Sequence, residues 1–388
     1  MFLISRWTII FTRTKHFFSL ARSLSISQCY NKSSAICTTS NGSSQDTMKA
    51  VIFDGVGKVK YVKDFPRPKI EKDTDVLVKV EYAGVCGTDV HIISGDFPAL
   101  ADRPHPLGHE FSGRIAETGS KVVFKTGQKV VIDPSRACGV CNFCRNGLYQ
   151  HCAKDGLNSY IGIWKEGGWA QYVVVPQKQV YVLPKEVSTK QACLCEPCSC
   201  VSHAHDMVAP LFIGQEILIL GAGIIGNIWV SLLHHQGHRN VTVSERNTAR
   251  MAIVKKLNTG CRVITPDILE KEKKCYDIII DNTGVPQAME LAFTRLQHGG
   301  KYLVFGCAPH DQQASINPFR LFEKELTIVG AKINPFSFPK AIAWVKAMGK
   351  RYLKYSSIGV KTFRLSQHEK ALKALKSGSI SKAVFKIK

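Results

Sequence analysis

Between Gln215 and Ala331 the sequence repeats one unit: a short apolar run, a tight turn, then a stretch with helical spacing. The apolar runs are EILILGAG, NVTVSE, YDIIIDNTG, KYLVFG and LTIVGA. A strand that is apolar at nearly every position has both faces buried, and helices must supply the cover. Strand, turn and helix in repetition therefore predict an α/β fold with a doubly wound parallel sheet.

The chain before this region reads differently. From Met48 to about Pro184, MKAVIFDG, DVLVKVEYAG, FSGRIAETG, QKVVIDP and WAQYVVVP alternate with glycine and proline punctuation, an all-β pattern. After Asn334 come a helical segment, PKAIAWVKAMGK, and a β-like tail. The expected organisation is a leader at 1–47, a β domain at 48–200, a parallel-sheet domain at 201–334, and a segment at 335–388 that returns to the first domain.

Residues 1–47 contain Arg6, Arg13, Lys15, Arg22 and Lys32, ten serines and one acidic residue, Asp46. Basic, serine-rich and acid-poor is the composition of a mitochondrial transit peptide, and Arg6 interrupts the apolar start that a secretory signal needs. The expected location is mitochondrial, or cytoplasmic if the segment does not direct import. The net charge of +22 is spread along the chain without a compact basic cluster, which argues against a nucleic-acid partner. No apolar run is long enough for a membrane span.

Cys138, Cys141, Cys144 and Cys152 form C-x2-C-x2-C-x7-C. Four thiolates so close in sequence can close a tetrahedral site, which is structural zinc. A bacterial iron–sulfur run would have an x3 step and a trailing proline, both missing here.

Gly221, Gly223 and Gly226, with Ile224 and Ile225 among them, form LILGAGIIG at the end of an apolar strand. Glu245 ends the next strand, nineteen residues after Gly226. In that setting G-x-G-x-x-G is the dinucleotide fingerprint: one glycine for the turn, one for approach of the pyrophosphate, one for packing. Glu245 favours NAD through the ribose hydroxyls. Arg246 and Arg250 are residues that could instead receive the 2′-phosphate of NADP.

The stretch GVCGTDVHIISGDFPALADRPHPLGHE places Cys86, Thr88 and His91 in one turn, and His109 with Glu110 twenty-three residues after the cysteine. These are ligand types that zinc prefers, although a lone cysteine and a distant histidine taken by themselves read more readily as buried core residues. In CLCEPCSC, Cys193, Cys195, Cys198 and Cys200 read as small buried thiols, whereas Glu196 beside Pro197 needs a charged partner.

From Met48 to its end the chain resembles the zinc-containing medium-chain alcohol/polyol dehydrogenases, of the sorbitol and arabinitol dehydrogenase branch. The resemblance rests on GVCGTDVH, PLGHEFSG, the four-cysteine lobe, Glu196-Pro197 and LGAGIIG, in the family's order. It implies a GroES-like β catalytic domain and a Rossmann coenzyme domain, with two zinc ions per chain and NAD or NADP as coenzyme. It also implies a homodimer or homotetramer and a small polyol or alcohol as substrate. By the same resemblance Cys86, His109 and Glu110 carry the catalytic zinc, and Glu196 is a further ligand or a water-mediated neighbour. Thr88, two residues from the ligand cysteine, is expected to take the hydroxyl proton, and His91 to pass it outward by way of the coenzyme ribose; the alternative for His91 is an ordinary surface-loop histidine. The nicotinamide is expected along Asn282–Gly284 and Gly306–Ala308. Threonine dehydrogenases share the cysteine turn and Gly-His-Glu but typically lack Glu-Pro. Ile333 and Asn334 align where polyol members often carry an arginine and a tyrosine, a departure that counts against strict sorbitol specificity. A non-catalytic relative would commonly have lost Cys86, His109 or a turn glycine, and all are present.

Overall fold

A computed structural model describes residues 46–97, 104–152, 154–155, 159–309 and 311–388. The predicted import segment falls almost entirely outside the described residues.

The first sheet has its centre at strand Asp75–Val85, which pairs antiparallel with Phe111–Thr118 on one side and Lys382–Lys386 on the other. Lys129–Ile132 and Val180–Val182 extend it beyond Phe111–Thr118, and Val360–Phe363 beyond Lys382–Lys386. Val76, Val78 and Val80 alternate inward along the central strand and meet Phe111, Ile115 and Trp169, as a pleat of period two requires. A smaller sheet joins Thr47–Phe53 to Val59–Pro66 and His105–Pro106. The C-terminal segment therefore lies in the first sheet, with Val384 opposite Gly84.

The second sheet has six strands, all parallel where they pair. Ile217–Leu220 lies at its middle, between Val241–Ser244 and Tyr276–Asp281. Arg262–Ile264 closes one edge; Leu296–Val304 and then Thr327–Gly330 lie towards the other. Ile217 and Ile219 belong to one apolar cluster and Leu218 and Leu220 to another. Both faces are buried, which is why these runs read as continuously apolar.

Two elements depart from the sequence reading. A helix, Gly87–Ser94, interrupts the region read as all-β. It forms because Asp89 reaches back to accept from the Cys86 amide at 2.7 Å, and because Gly95 ends it in the left-handed region. A second helix, Cys195–Val208, runs straight through the expected 200/201 boundary, packed against Ile224–His235 and Phe338–Met348. Among the described residues no helix is long and apolar enough to cross a membrane.

Candidate active site

Strand Asp75–Val85 ends at the cysteine turn, and strand Phe111–Thr118 begins directly after Glu110. Their pairing, with Ala83 opposite Phe111, brings Cys86 to His109 and Glu110. The thiol, one imidazole nitrogen and one carboxylate oxygen all lie within 4.8 Å of one another. His109 is 3% and Glu110 1% exposed. Burial alone would lower the His109 pKa, but the charges of Asp89 and Cys86 reverse this and hold it well above the ordinary value. Asp89 Oδ1 faces His109 Nδ1 at 3.5 Å, and neither atom has a hydrogen bond. A soft thiol, an imidazole braced by a carboxylate, and a second carboxylate fit a zinc ion.

Lys382, from the C-terminal strand, is paired with Glu110. Burial opposes its charge, yet Glu110 and, behind it, Cys86 push its ammonium above the ordinary range. It also donates to the Val85 carbonyl at 3.2 Å.

Glu196 occupies the first turn of helix Cys195–Val208 and is 6% exposed. Its oxygens are not among the atoms clustered at Cys86. Burial pushes its carboxyl above the ordinary range, against the lowering charges of His109 and Lys382. Cys193, Cys195 and Cys198 are buried and Cys200 is partly exposed; together they form no ligand cluster among the described residues.

Thr88 Oγ1 is 3.6 Å from Cys86 Sγ. His91 follows three residues later on the same helix, half-exposed, with Nδ1 3.6 Å from Asp96 Oδ2. The structure thus places the hydroxyl at the ligand cluster and the imidazole at the surface.

The four thiols of the cysteine lobe also lie within 4.8 Å of one another. Cys138 Sγ and Cys144 Sγ are 3.9 Å apart, far beyond a disulfide bond. Four sulfurs about 2.3 Å from a central zinc would be about 3.8 Å apart at the corners of a tetrahedron. Burial works against charge on Cys152, but surrounding backbone N–H groups bring its thiol down to about 6. A thiolate is what a metal binds.

At the second sheet, Gly221 turns with φ +86°, a Cβ on Gly223 would meet nothing, and a Cβ on Gly226 would lie 2.1 Å from the Gly221 carbonyl oxygen. The open space at Gly223 suits a pyrophosphate drawn up to the turn, followed directly by helix Ile224–His235. Ile224 and Ile225 pack against the core below it. Glu245 braces the turn: Oε2 accepts from the Ala222 amide at 2.7 Å and Oε1 from the Asn247 amide at 2.8 Å. Arg246 is exposed and Arg250 half-buried. The Asn282–Gly284 and Gly306–Ala308 turns follow neighbouring strands, and the Gly306 amide bonds the Asp281 carbonyl at 2.8 Å.

Asn334 is fully buried, its side chain held by Ser135 at 2.6 Å and Ser199 at 2.8 Å. Ile333 packs on the first core. Neither can grip a distal substrate hydroxyl from that position. Sequence reasoning missed Asp89 and Lys382. The acid three residues after Cys86 was a readable helix-capping signal. Lys382 had no local signal, since its carbonyl partner Val85 is 297 residues away.

Residues 72–185 match the family described as Alcohol dehydrogenase GroES-like domain, and residues 225–347 the family described as Zinc-binding dehydrogenase. The chain is similar to D-arabinitol dehydrogenase 1 of Uromyces fabae, 30% identical over 330 residues that cover 82% of this chain and 91% of the relative. It is similar to L-threonine 3-dehydrogenase of Legionella pneumophila, 29% identical over 336 residues, 84% and 95% of the two chains. A protein of Sinorhizobium meliloti 1021 solved bound to NADP superposes with a TM-score of 0.78 at 29% identity, covering 87% of this chain and 98% of that one. With the cysteine turn, the four-thiol lobe and the glycine turn in their places, this chain belongs to the zinc-containing medium-chain alcohol and polyol dehydrogenases.

Proposed function

We propose that the protein oxidises a polyol or another secondary alcohol to the ketose or ketone, with NAD as hydride acceptor. The observation that carries this reading is the buried cluster of Cys86, His109 and Glu110. A zinc ion held there supplies Lewis acidity that eases loss of the hydroxyl proton of an alcohol.

The residues divide the remaining work. Asp89 fixes the His109 ring by facing Nδ1, which leaves the other nitrogen for the ligand cluster. Thr88, beside the Cys86 sulfur, takes the hydroxyl proton of the substrate. His91, at the surface three residues on, delivers it to solvent. The hydride leaves the alcohol carbon for the nicotinamide, so alcohol and NAD+ give ketone, NADH and one proton.

NAD is the preferred coenzyme in this reading because Glu245 lies at the end of the strand that follows the glycine turn, the sequence position from which a carboxylate reads ribose hydroxyls. Two exposed or half-exposed arginines favour NADP instead, and paired assays with both coenzymes decide. The threonine dehydrogenase likeness offers a second reading. Glu196-Pro197 supports the polyol, and rates with L-threonine against xylitol and arabinitol separate the two.

The protein is a homodimer or homotetramer in this reading. Strand Thr327–Gly330 is an exposed sheet edge, and Phe319 and Phe322 beside it are largely exposed, which together invite a second strand and an apolar cover. Light scattering on the purified protein tests this. Residues 1–47 direct mitochondrial import, and N-terminal sequencing of the native protein is the check.

A further inference from the structure

Glu196 is gripped through one oxygen. Its Oε1 accepts from the Tyr160 hydroxyl at 3.2 Å and from the Cys200 thiol at 3.6 Å. Among the described residues no donor hydrogen-bonds Oε2. Cys200 lies four residues beyond Glu196 on helix Cys195–Val208 and therefore on the same face. Tyr160 is 2% exposed, and its ring meets that of His109 edge-on, with centroids 5.8 Å apart. One side chain thus touches both a member of the ligand cluster and the carboxylate that stands outside it.

That separation is unexpected for a buried carboxylate. Glu196 is close enough for the charges of His109, Glu110 and Lys382 to act on it, yet its oxygens are not within ligand range of Cys86 and His109. An unpaired buried carboxylate should move to the nearest cation unless something holds it. Cys86, Glu110 and Glu196 together would also crowd three negative groups round one ion. On the zinc reading given above, we infer that Tyr160 and Cys200 are positioning residues that keep Glu196 out of the ligand set and reserve its second oxygen to accept a hydrogen bond from substrate.

The test uses the full-length protein with cobalt(II) exchanged for zinc, and reads the visible d–d absorption and zinc affinity without substrate. Tyr160→Phe should alter the cobalt spectrum and tighten zinc on the order of tenfold, because the released carboxylate joins the ligands. KM for a polyol should rise more than kcat falls. Cys200→Ala should shift both metal readouts the same way by less, and Cys200→Ser, which keeps a donor, should match the native protein. Adding Glu196→Gln to Tyr160→Phe should cancel the tightening. If Tyr160→Phe and Cys200→Ala change only unfolding, leaving spectrum and affinity native, the inference is wrong. If Tyr160→Phe fails to fold, Cys200→Ala alone decides. A native protein that takes up no cobalt at Cys86 and His109 would overturn both this inference and the zinc reading.

Discussion

Lys382 Nζ lies 2.5 Å from Glu110 Oε2, and both side chains are all but sealed from solvent. A carboxylate of the ligand cluster is thereby neutralised by the last strand of the chain. The pair also explains Gly84, on which a Cβ would stand 2.0 Å from Glu110 Oε2. Removing one partner of a buried pair strands the other charge. Lys382→Met should therefore destabilise the protein by about 3–5 kcal/mol in urea unfolding. Glu110→Gln added to it should recover most of the loss, and a single variant within about 1 kcal/mol of the native protein would contradict the pairing.

The four-thiol lobe makes a separate prediction. Cys141→Ser removes one of four clustered sulfurs. Zinc content should fall by one ion per chain, with a lower melting temperature, while metal at Cys86 and His109 is retained. Elemental analysis of the purified variant reads this directly.

Asp133 predicts a pH dependence. It is 7% exposed, and burial raises its carboxyl to about 7 despite hydrogen bonds from Ser135. The unfolded value is about 3.9. A folded value above the unfolded one means that the folded state holds the proton more tightly. The contribution is complete below about pH 4 and is lost as the pH rises through about 7. Asp133→Asn should flatten this decline and exceed native stability at about pH 8 by on the order of a few kcal/mol. Urea midpoints at several pH values check it, and parallel curves for the two proteins would refute it.

The coenzyme site gives a fourth expectation. Arg246 is exposed beside the buried Glu245. Arg246→Ala should raise KM for NADP about tenfold and leave KM for NAD within about twofold, since only NADP carries a 2′-phosphate on the adenosine ribose for the guanidinium to meet. Equal effects on both coenzymes would remove Arg246 from the phosphate site.

Much of this site was legible because its signals are local. Cys138 to Cys152 and Gly221 to Gly226 each carry their chemistry within one turn or loop, and spacing alone shows it. Cys86 and His109 needed two paired strands to meet, so their ligand chemistry was legible in the sequence but left them ambiguous until the resemblance was added. The Glu110–Lys382 pair and the Tyr160–Glu196 contact are set by tertiary packing across long separations. Neither leaves a periodic or compositional trace. The helix after Cys86 was missed for another reason: it lasts only eight residues inside a β-rich region, too few for a period to emerge.

The central claim is zinc-dependent alcohol oxidation at Cys86 and His109. Its most direct test follows reduced nicotinamide absorbance with the purified full-length protein, NAD+ and a panel of sorbitol, xylitol, arabinitol and ribitol. The account predicts a rate with at least one polyol that a chelator abolishes, that added zinc restores, and that Cys86→Ala lacks. A rate that survives complete removal of zinc, or one that Cys86→Ala retains, would contradict it.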